Sequence, residues 1–137
     1  MFKTVLFPID GSRESQEAAT TVAHIVKTYE SRLVLLSVVE APPDEIEVGS
    51  PEAATSAEAI AALLQAVQAN FAAEGIQADA LERQGKPAFV ICDVADELNA
   101  NLIVMGCRGL GLTEDGAAES VTNRVINLSP CPVLIVP

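Results

Sequence analysis

The chain has 137 residues, of which 50% are hydrophobic and 20% charged, and this composition excludes intrinsic disorder over most of its length. A length of this order predicts a single domain over residues 1–137, with a core that needs no disulfide or metal to hold it together. The net charge of −11 repels nucleic-acid phosphates and anionic lipids, which argues against nucleic-acid and membrane partners.

Strands and helices alternate along the predicted chain. The nearly continuous apolar runs VLFPI, LVLLSVV, LIVMG and PVLIV predict strands buried on both faces, and the alternating IQADALER predicts a less buried strand. Apolar residues that recur every three or four positions predict the helices. In chain order we predict strand Phe2–Ile9, helix Arg13–Tyr29, strand Arg32–Val39, helix Thr55–Glu74, strand Ile76–Arg83, a helix from Pro87 to about Asn99, strand Leu102–Gly106, helix Ala117–Leu128 and strand Cys131–Val136. This order indicates the α/β class: a three-layer, doubly wound sheet of five parallel strands flanked by four helices.

Local signals mark the ends of these helices. Ser12 suits the N-cap of the first helix. Thr55 and Glu58 form a capping box at the start of the second, and Gly75 suits its C-terminal stop.

The segment Glu40–Ala54 is predicted to be a mobile linker, because it is acidic and contains three prolines.

Two segments at predicted carboxyl ends of strands carry candidate binding residues, and ligands of doubly wound sheets bind beyond such ends. Asp10 follows the first strand and can accept hydrogen bonds from a sugar hydroxyl or a base, or can simply cap a turn. Gly106 and Gly109 leave the fourth strand toward a helix N-terminus, which favours an anion. Arg108 between them can add a bidentate phosphate contact, although a plain turn is the alternative interpretation.

The motifs taken together resemble the universal stress protein family from end to end. The matching stretches are VLFPIDGS, LVLLSVVE, GKPAFVICDVADELNANLIVMGCRG and the ending S-V-x-N-x-V-x-x-x-S-P-C-P-V-L-I-V-P at Ser120–Pro137. The resemblance implies an adenine nucleotide alpha hydrolase-like fold. It also implies, as in many members, ATP binding through the motif Gly-x2-Gly-x9-Gly-Ser/Thr.

The resemblance assigns roles to individual positions. Gly106 and Gly109 match the first two motif glycines, and Ser120 matches the hydroxyl residue. Asp10 matches the aspartate that contacts the nucleotide, and Val38 matches the strand position whose backbone meets adenine. The implied cofactor-binding site further contains Pro8, Met105, Arg108, Glu119 and Val121.

Glu119 stands where the family motif has its third glycine. A carboxylate there adds bulk and like charge beside the phosphates: two unit charges 4 Å apart repel by ~1 kcal/mol in water and ~4 kcal/mol at an effective dielectric near 20. Micromolar binding amounts to ~8 kcal/mol, so we expect the ATP site to be impaired or altered. Glu119 can also act as an internal anion at the helix N-terminus. Two routes to ATP binding stay open: Gly116 can supply the close approach in another register, and Mg²⁺ or Mn²⁺ can bridge the carboxylate and the phosphates.

No catalytic or metal-ligating constellation stands out in the sequence. His24 is the single histidine and lies within a predicted helix, where a surface or packed position is ordinary. The sequence therefore predicts at most a weak ATPase and disfavours a metabolic nucleotidyl transferase of related topology. We expect a stress-response protein that acts through conformation and partner binding. The alternative is an ATP-binding, nucleotide-responsive switch.

The last predicted strand, Cys131–Val136, indicates a homodimer. Such an apolar strand is an aggregation hazard at a sheet edge unless it is covered, and an internal position is the alternative. In the family this strand commonly pairs antiparallel with its copy, so the resemblance implies a two-fold dimer. Phe89 and Val90 are predicted to be either core residues or a second contact surface.

The cysteines and the amino terminus predict a cytoplasmic protein. Pro8 interrupts the first apolar run too early for a signal peptide, and no run approaches the ~18 residues of a transmembrane helix. Cys92, Cys107 and Cys131 are odd in number and far apart, which favours three reduced thiols over disulfides or a zinc site.

Overall fold

The computed structural model describes residues 1–10, 13–39, 51–106 and 117–137, with side chains described outside positions 13–15, 51–57 and 117–120. Strands and helices alternate as predicted. Their bounds are β1 Thr4–Pro8, α1 Arg13–Tyr29, β2 Arg32–Val39, α2 Pro51–Ala73, β3 Ala78–Gln84, α3 Pro87–Leu98, β4 Leu102–Gly106, α4 Ala117–Leu128 and β5 Val133–Val136. Ser12, the predicted N-cap of α1, lies outside the described residues.

The strands form one parallel sheet in the order β3-β2-β1-β4-β5. This confirms the predicted five-stranded, doubly wound α/β fold. The central strands are buried on both faces, as their unbroken apolar runs predict, because helices cover each side of the sheet.

Alternating residues of each strand divide the core between two layers. One layer contains α1 and α2, and its largest fully buried side chains are Val5, Phe7, Val22, Leu33, Leu35 and Val104. The other contains α3 and α4, and its largest fully buried side chains are Leu6, Val34, Leu36, Val94, Ile103 and Val125. The period of two in β1, where Leu6 lies between Val5 and Phe7, produces this division directly.

The two edge strands differ in chemistry. β3 forms one edge, and its Asp79, Glu82 and Arg83 are exposed. β5 forms the other edge and contains only valine, leucine and isoleucine, with Leu134 36% exposed. The prediction that the last strand is an edge strand is therefore confirmed. Charged side chains protect an edge against further pairing, and β5 lacks them.

The second helix begins earlier than predicted. Pro51 is its first residue, so residues 51–54 are helical and the predicted linker Glu40–Ala54 is wrong over that stretch. Thr55 lies inside the helix, so it is not the N-cap and the predicted capping box with Glu58 is wrong. Proline is tolerated at a first helical position, and the alanine-rich segment after it has high helix propensity. Residues 40–50 lie outside the described part of the chain.

Local hydrogen bonds shorten three of the predicted strands. Phe2 lies before β1, where its carbonyl accepts a hydrogen bond from the Ser31 hydroxyl. Ile76 lies before β3, because its N–H still bonds the Phe71 carbonyl of α2 at 2.9 Å. Cys131 lies before β5, because the Ser129 hydroxyl donates to its carbonyl at 2.6 Å and accepts from its N–H at 3.2 Å.

Two predicted helix ends agree with the structure, whereas several apolar helix residues are exposed. The stop at Gly75 is confirmed by its left-handed φ of 82°, and Pro87 opens α3 as predicted. Tyr29 and Leu128, the apolar residues that end α1 and α4, are 43% and 49% exposed. Phe89 is 47% exposed, whereas Val90, the other residue of that predicted pair, packs against the core.

Candidate functional site

The candidate site lies where the strand order reverses. From β1 the sheet continues through β2 and β3 on one side and through β4 and β5 on the other. The carboxyl ends of β1 and β4, at Pro8 and Gly106, therefore flank the switch point of the sheet. Connections leave toward opposite faces at such a point, and the crevice between them is where ligands bind in doubly wound folds.

The strand register brings several predicted site residues to one level. Pro8 pairs with Leu36, and the Ile9 N–H bonds the Leu36 carbonyl at 2.8 Å, so Asp10 follows at the level of Val38. On the other side, Leu6 pairs with Ile103, and the same register carries Pro8 to the level of Met105. The predicted grouping of Pro8, Asp10, Val38 and Met105 at the carboxyl edge thus follows from pairing alone.

These residues combine an apolar wall with a carboxylate. Val38 and Val121 are half-buried, Met105 is 7% exposed, and all three belong to the core layer of α3 and α4. Asp10 is exposed directly beyond β1. An apolar surface with a carboxylate at its rim is suited to a flat heterocycle linked to a hydroxylated group.

Helix α4 supplies the other side of the crevice. It begins at Ala117, so Glu119 and Ser120 lie in its first turn and Val121 follows. The backbone N–H groups of a first helical turn favour negative charge, whether from a ligand or from an acidic residue of the helix itself. The predicted site residues Arg108 and Gly109 lie outside the described part of the chain, as do Glu114, Asp115 and Gly116 of the acidic segment before α4.

Two cations near the crevice were not associated with it by the sequence analysis. Arg83 pairs with Val38 across β3 and β2, and Lys86 is the N-cap residue of α3 just beyond β3. The Arg83 guanidinium lies 3.9 Å from Glu97, and both side chains are largely exposed, so this ion pair is weak. The Gly-Lys-Pro turn marks the end of the third strand in the sequence, but only the register shows that the strand ends beside Val38.

Among the described residues, no group of three or more histidine, cysteine, aspartate or glutamate side chains could hold a metal ion. His24 is exposed on α1. In the part of the chain that the structure describes, no helix combines the length and apolar character needed to cross a membrane.

The described thiols belong to the core layer of α3 and α4. Burial, with smaller contributions from Asp93 and Cys131, raises the pKa of the Cys92 thiol. Burial also raises the pKa of Cys131, and the Ser129 hydrogen bond partly opposes this. Both cysteines are free thiols and stay protonated near neutral pH, so they act as packing residues. Cys107 lies outside the described residues.

Comparison with known proteins identifies the kind of chain to which this site belongs. Residues 1–137 match the family described as "Universal stress protein family". The chain is 60% identical to universal stress protein Sll1654 of Synechocystis sp. over 138 residues, which cover 100% of this chain and 87% of that protein. It is 35% identical to a Thermus aquaticus universal stress protein, with 99% of each chain covered.

A solved structure described as a universal stress protein in complex with cAMP shares the fold. It superposes with a TM-score of 0.79 and 26% identity, over 99% of this chain and 97% of that one. A relative of this fold therefore binds an adenine nucleotide. The match over every described element and the end-to-end sequence identity lead to one conclusion: the chain belongs to the universal stress protein family.

Proposed function

We propose that this protein is a dimeric, cytoplasmic universal stress protein that acts through its conformation and its protein partners, with an adenine nucleotide site altered by Glu119. The observation that carries the proposal is the position of Glu119 in the first turn of α4, where the family's nucleotide motif has a glycine. The other motif positions keep the residue types of a nucleotide site.

Electrostatics support this proposal. A triphosphate tail and a glutamate would compete for the same amide groups at the start of α4. The glutamate is covalently tethered there, and its repulsion of each phosphate charge costs between ~1 and ~4 kcal/mol at 4 Å. The net charge of −11 adds to that repulsion at long range. The apolar wall of Val38, Met105 and Val121 does not bear charge and can still accept an adenine ring.

The test is the thermal shift produced by ATP in the protein and in two variants. We expect millimolar ATP to leave the melting temperature of the unaltered protein unchanged. Glu119→Gly removes bulk and charge and should create a clear ATP-dependent rise. Glu119→Gln keeps the bulk and removes the charge, so it separates the two effects. Each variant is compared with itself without ATP, because glycine in a helix costs about 1 kcal/mol whatever the ligand.

A marked stabilisation of the unaltered protein by ATP would refute the altered site. A response of Glu119→Gly to ATP but not to inorganic triphosphate would show that adenosine contributes, as the apolar wall requires. If ATP does not raise the melting temperature of either Glu119 variant, the carboxylate is not what blocks the site and the proposal fails.

A second candidate, an ATP-binding switch with at most slow hydrolysis, is favoured by a different observation. Asp10 and Gly106 lie at the carboxyl ends of neighbouring strands, and Gly109 and Ser120 keep their motif residue types. In this case Mg²⁺ or Mn²⁺ would join the acidic loop to the phosphates. Calorimetry of ATP with each metal, against ATP with a chelator, decides between the candidates, since this one requires binding heat that depends on the cation.

A further inference from the structure

An exposed phenyl ring lies in the first turn of α3. Phe89 is 47% exposed, although Ala88 and Ile91 of the same helix are almost fully buried. A single exposed apolar residue is ordinary on a protein surface, so the case for a role depends on where this ring lies. Its position relative to the candidate crevice follows from the turn before α3 and from the neighbours of each side of the helix.

The first turn of α3 lies at the carboxyl edge of the sheet. The Gly85 N–H bonds the Val39 carbonyl at the end of β2, at 2.9 Å, and α3 begins two residues later at Pro87. The helix therefore starts beside the strand end that carries Val38 of the crevice. Side chains of a helix lean toward its N-terminus, so the ring of Phe89 leans toward the carboxyl edge.

One side of α3 faces the β3 edge of the sheet. Val90 and Glu97 lie seven residues apart, which places them on the same side of the helix. Cγ2 of Val90 is 2.8 Å from the place of a Cβ on Gly85, just beyond β3, and the Glu97 carboxylate is 3.9 Å from the Arg83 guanidinium of β3. Phe89 does not lie on this side, because consecutive helical residues are about 100° apart.

Phe89 lies toward the side of α3 that faces α4. It precedes Cys92 by three residues, so the two residues share one side of the helix. Cys131, which follows α4, is near enough to Cys92 to contribute to the raised pKa of its thiol, and α3 packs against α4. Because α4 supplies Val121 to the crevice, the ring of Phe89 lies on the crevice side of α3, at the end where the crevice opens.

We propose that Phe89 stacks on the purine ring of an uncharged nucleoside bound against the apolar wall of the crevice. This inference rests on the proposed function, in which Glu119 repels phosphates at the start of α4 while the wall still accepts a ring. A nucleoside has no phosphate and avoids that repulsion, and Asp10 can accept hydrogen bonds from its sugar hydroxyls. Stacking on an aromatic side chain supplies affinity that does not depend on phosphate contacts.

The first experiment uses fluorescence. The chain contains no tryptophan, so Phe89→Trp introduces a single reporter at the stacking position. We expect adenosine to quench its emission saturably, with a dissociation constant on the order of 1 mM. Tyr29→Trp is the matched control: Tyr29 is 43% exposed but ends α1 at the opposite edge of the sheet, so adenosine should not quench it saturably. Ribose, which lacks the base, should quench neither variant.

The second experiment is a ¹⁵N NMR titration of the unaltered protein, Phe89→Ala and Phe89→Tyr with adenosine. Phe89→Ala should weaken binding at least about fivefold, and Phe89→Tyr should keep it, because the ring is retained. Phe89 is exposed, so both variants should fold. Equal affinity of the unaltered protein and Phe89→Ala, or no saturable shifts up to about 10 mM adenosine, would overturn the inference.

ATP separates this inference from the proposed function. We expect ATP to bind the unaltered protein at least about tenfold more weakly than adenosine, and Glu119→Gly to reduce that difference. If ATP and adenosine bind the unaltered protein equally, the effect of Glu119 is refuted, and with it both the proposed function and the preference for an uncharged ligand. If ATP is excluded but Phe89→Ala binds adenosine as the unaltered protein does, the stacking role of Phe89 is wrong and the proposed function stands.

Discussion

The thiol of Cys92 connects the packing of α3 to a measurable pH dependence. It lies in the core layer of α3 and α4, and burial raises its pKa above the usual value of 9.0. The folded protein therefore holds this proton more tightly than the unfolded chain does. Its contribution to stability is complete below the unfolded pKa and is lost as the pH rises above it.

We expect the free energy of unfolding to fall less steeply above pH 9.0 in Cys92→Ala than in the unaltered protein. The difference in slope has an upper limit of about 1.4 kcal/mol per pH unit, the value for one proton. Urea titrations on either side of that pH measure it. Leu98→Ala, which removes volume from the same helix without removing a titrating group, should keep the original slope. Identical slopes in Cys92→Ala and the unaltered protein would contradict this account.

Individual site residues were predictable where they end a strand. Asp10 and Gly106 follow unbroken apolar runs, so their place at the carboxyl edge follows from the run length and the parallel class. The position of Arg83 beside Val38 could not be predicted, because it depends on which strand neighbours β2 and in which register. That choice is made by side-chain packing between sheet and helices, which no local pattern reports.

At the scale of elements, the turn between β3 and α3 depends on one glycine. Gly85 has a φ of 142°, and its N–H bonds the Val39 carbonyl at 2.9 Å. A Cβ at this position would lie 2.8 Å from Cγ2 of Val90, in the first turn of α3. Backbone conformation and space therefore both favour glycine here.

We expect Gly85→Ala to lower the free energy of unfolding by roughly 1–3 kcal/mol, because it adds backbone strain and a clash. Gly75→Ala is the control: its φ is 82° but nothing lies within 4 Å of the added Cβ, so only strain remains and the loss should be smaller. Combining Gly85→Ala with Val90→Ala should recover part of the loss relative to Val90→Ala alone. A strictly additive double variant in urea unfolding would show that the contact with Val90 is not involved.

The elements whose bounds were predicted correctly to the residue have clear boundary signals in the sequence. The bounds of α1, β2, β4 and α4 agree with the structure because each is a continuous periodic or apolar run whose pattern stops at both ends. The start of α2 was misplaced because prolines and acidic residues suggest a linker, whereas Pro51 is compatible with a first helical turn. Strand ends were overestimated where a side chain such as Ser129 holds the chain in a turn.

At the scale of the whole molecule, the contrast between the sheet edges supports the dimer in our proposal. β5 carries no charged residue, and the exposed Leu134 places apolar surface on that edge. The β3 edge carries exposed charges, including Asp79, whose carboxylate bonds Arg32 at 3.0 Å. An apolar edge without charges is the one suited to pairing.

We therefore expect Leu134→Lys to shift the protein from dimer to monomer, because it places a charge on the pairing edge. Light scattering coupled to size-exclusion chromatography at about 10 to 100 μM measures this change. Phe89→Lys is the control, since it charges an exposed apolar residue on α3 and leaves β5 itself unchanged, so it should not alter the mass. A monomeric unaltered protein, or dissociation by Phe89→Lys alone, would place the interface elsewhere or remove it.

The unlike edges of the sheet also limit how far self-assembly can proceed. Two copies joined through β5 across a two-fold axis would consume both apolar edges and leave a β3 strand on each outer rim. Those rims carry Asp79 and Glu82, so a third copy would meet like charges instead of a complementary strand. Assembly would therefore stop at the dimer, and a concentrated solution would contain closed dimers instead of fibrils.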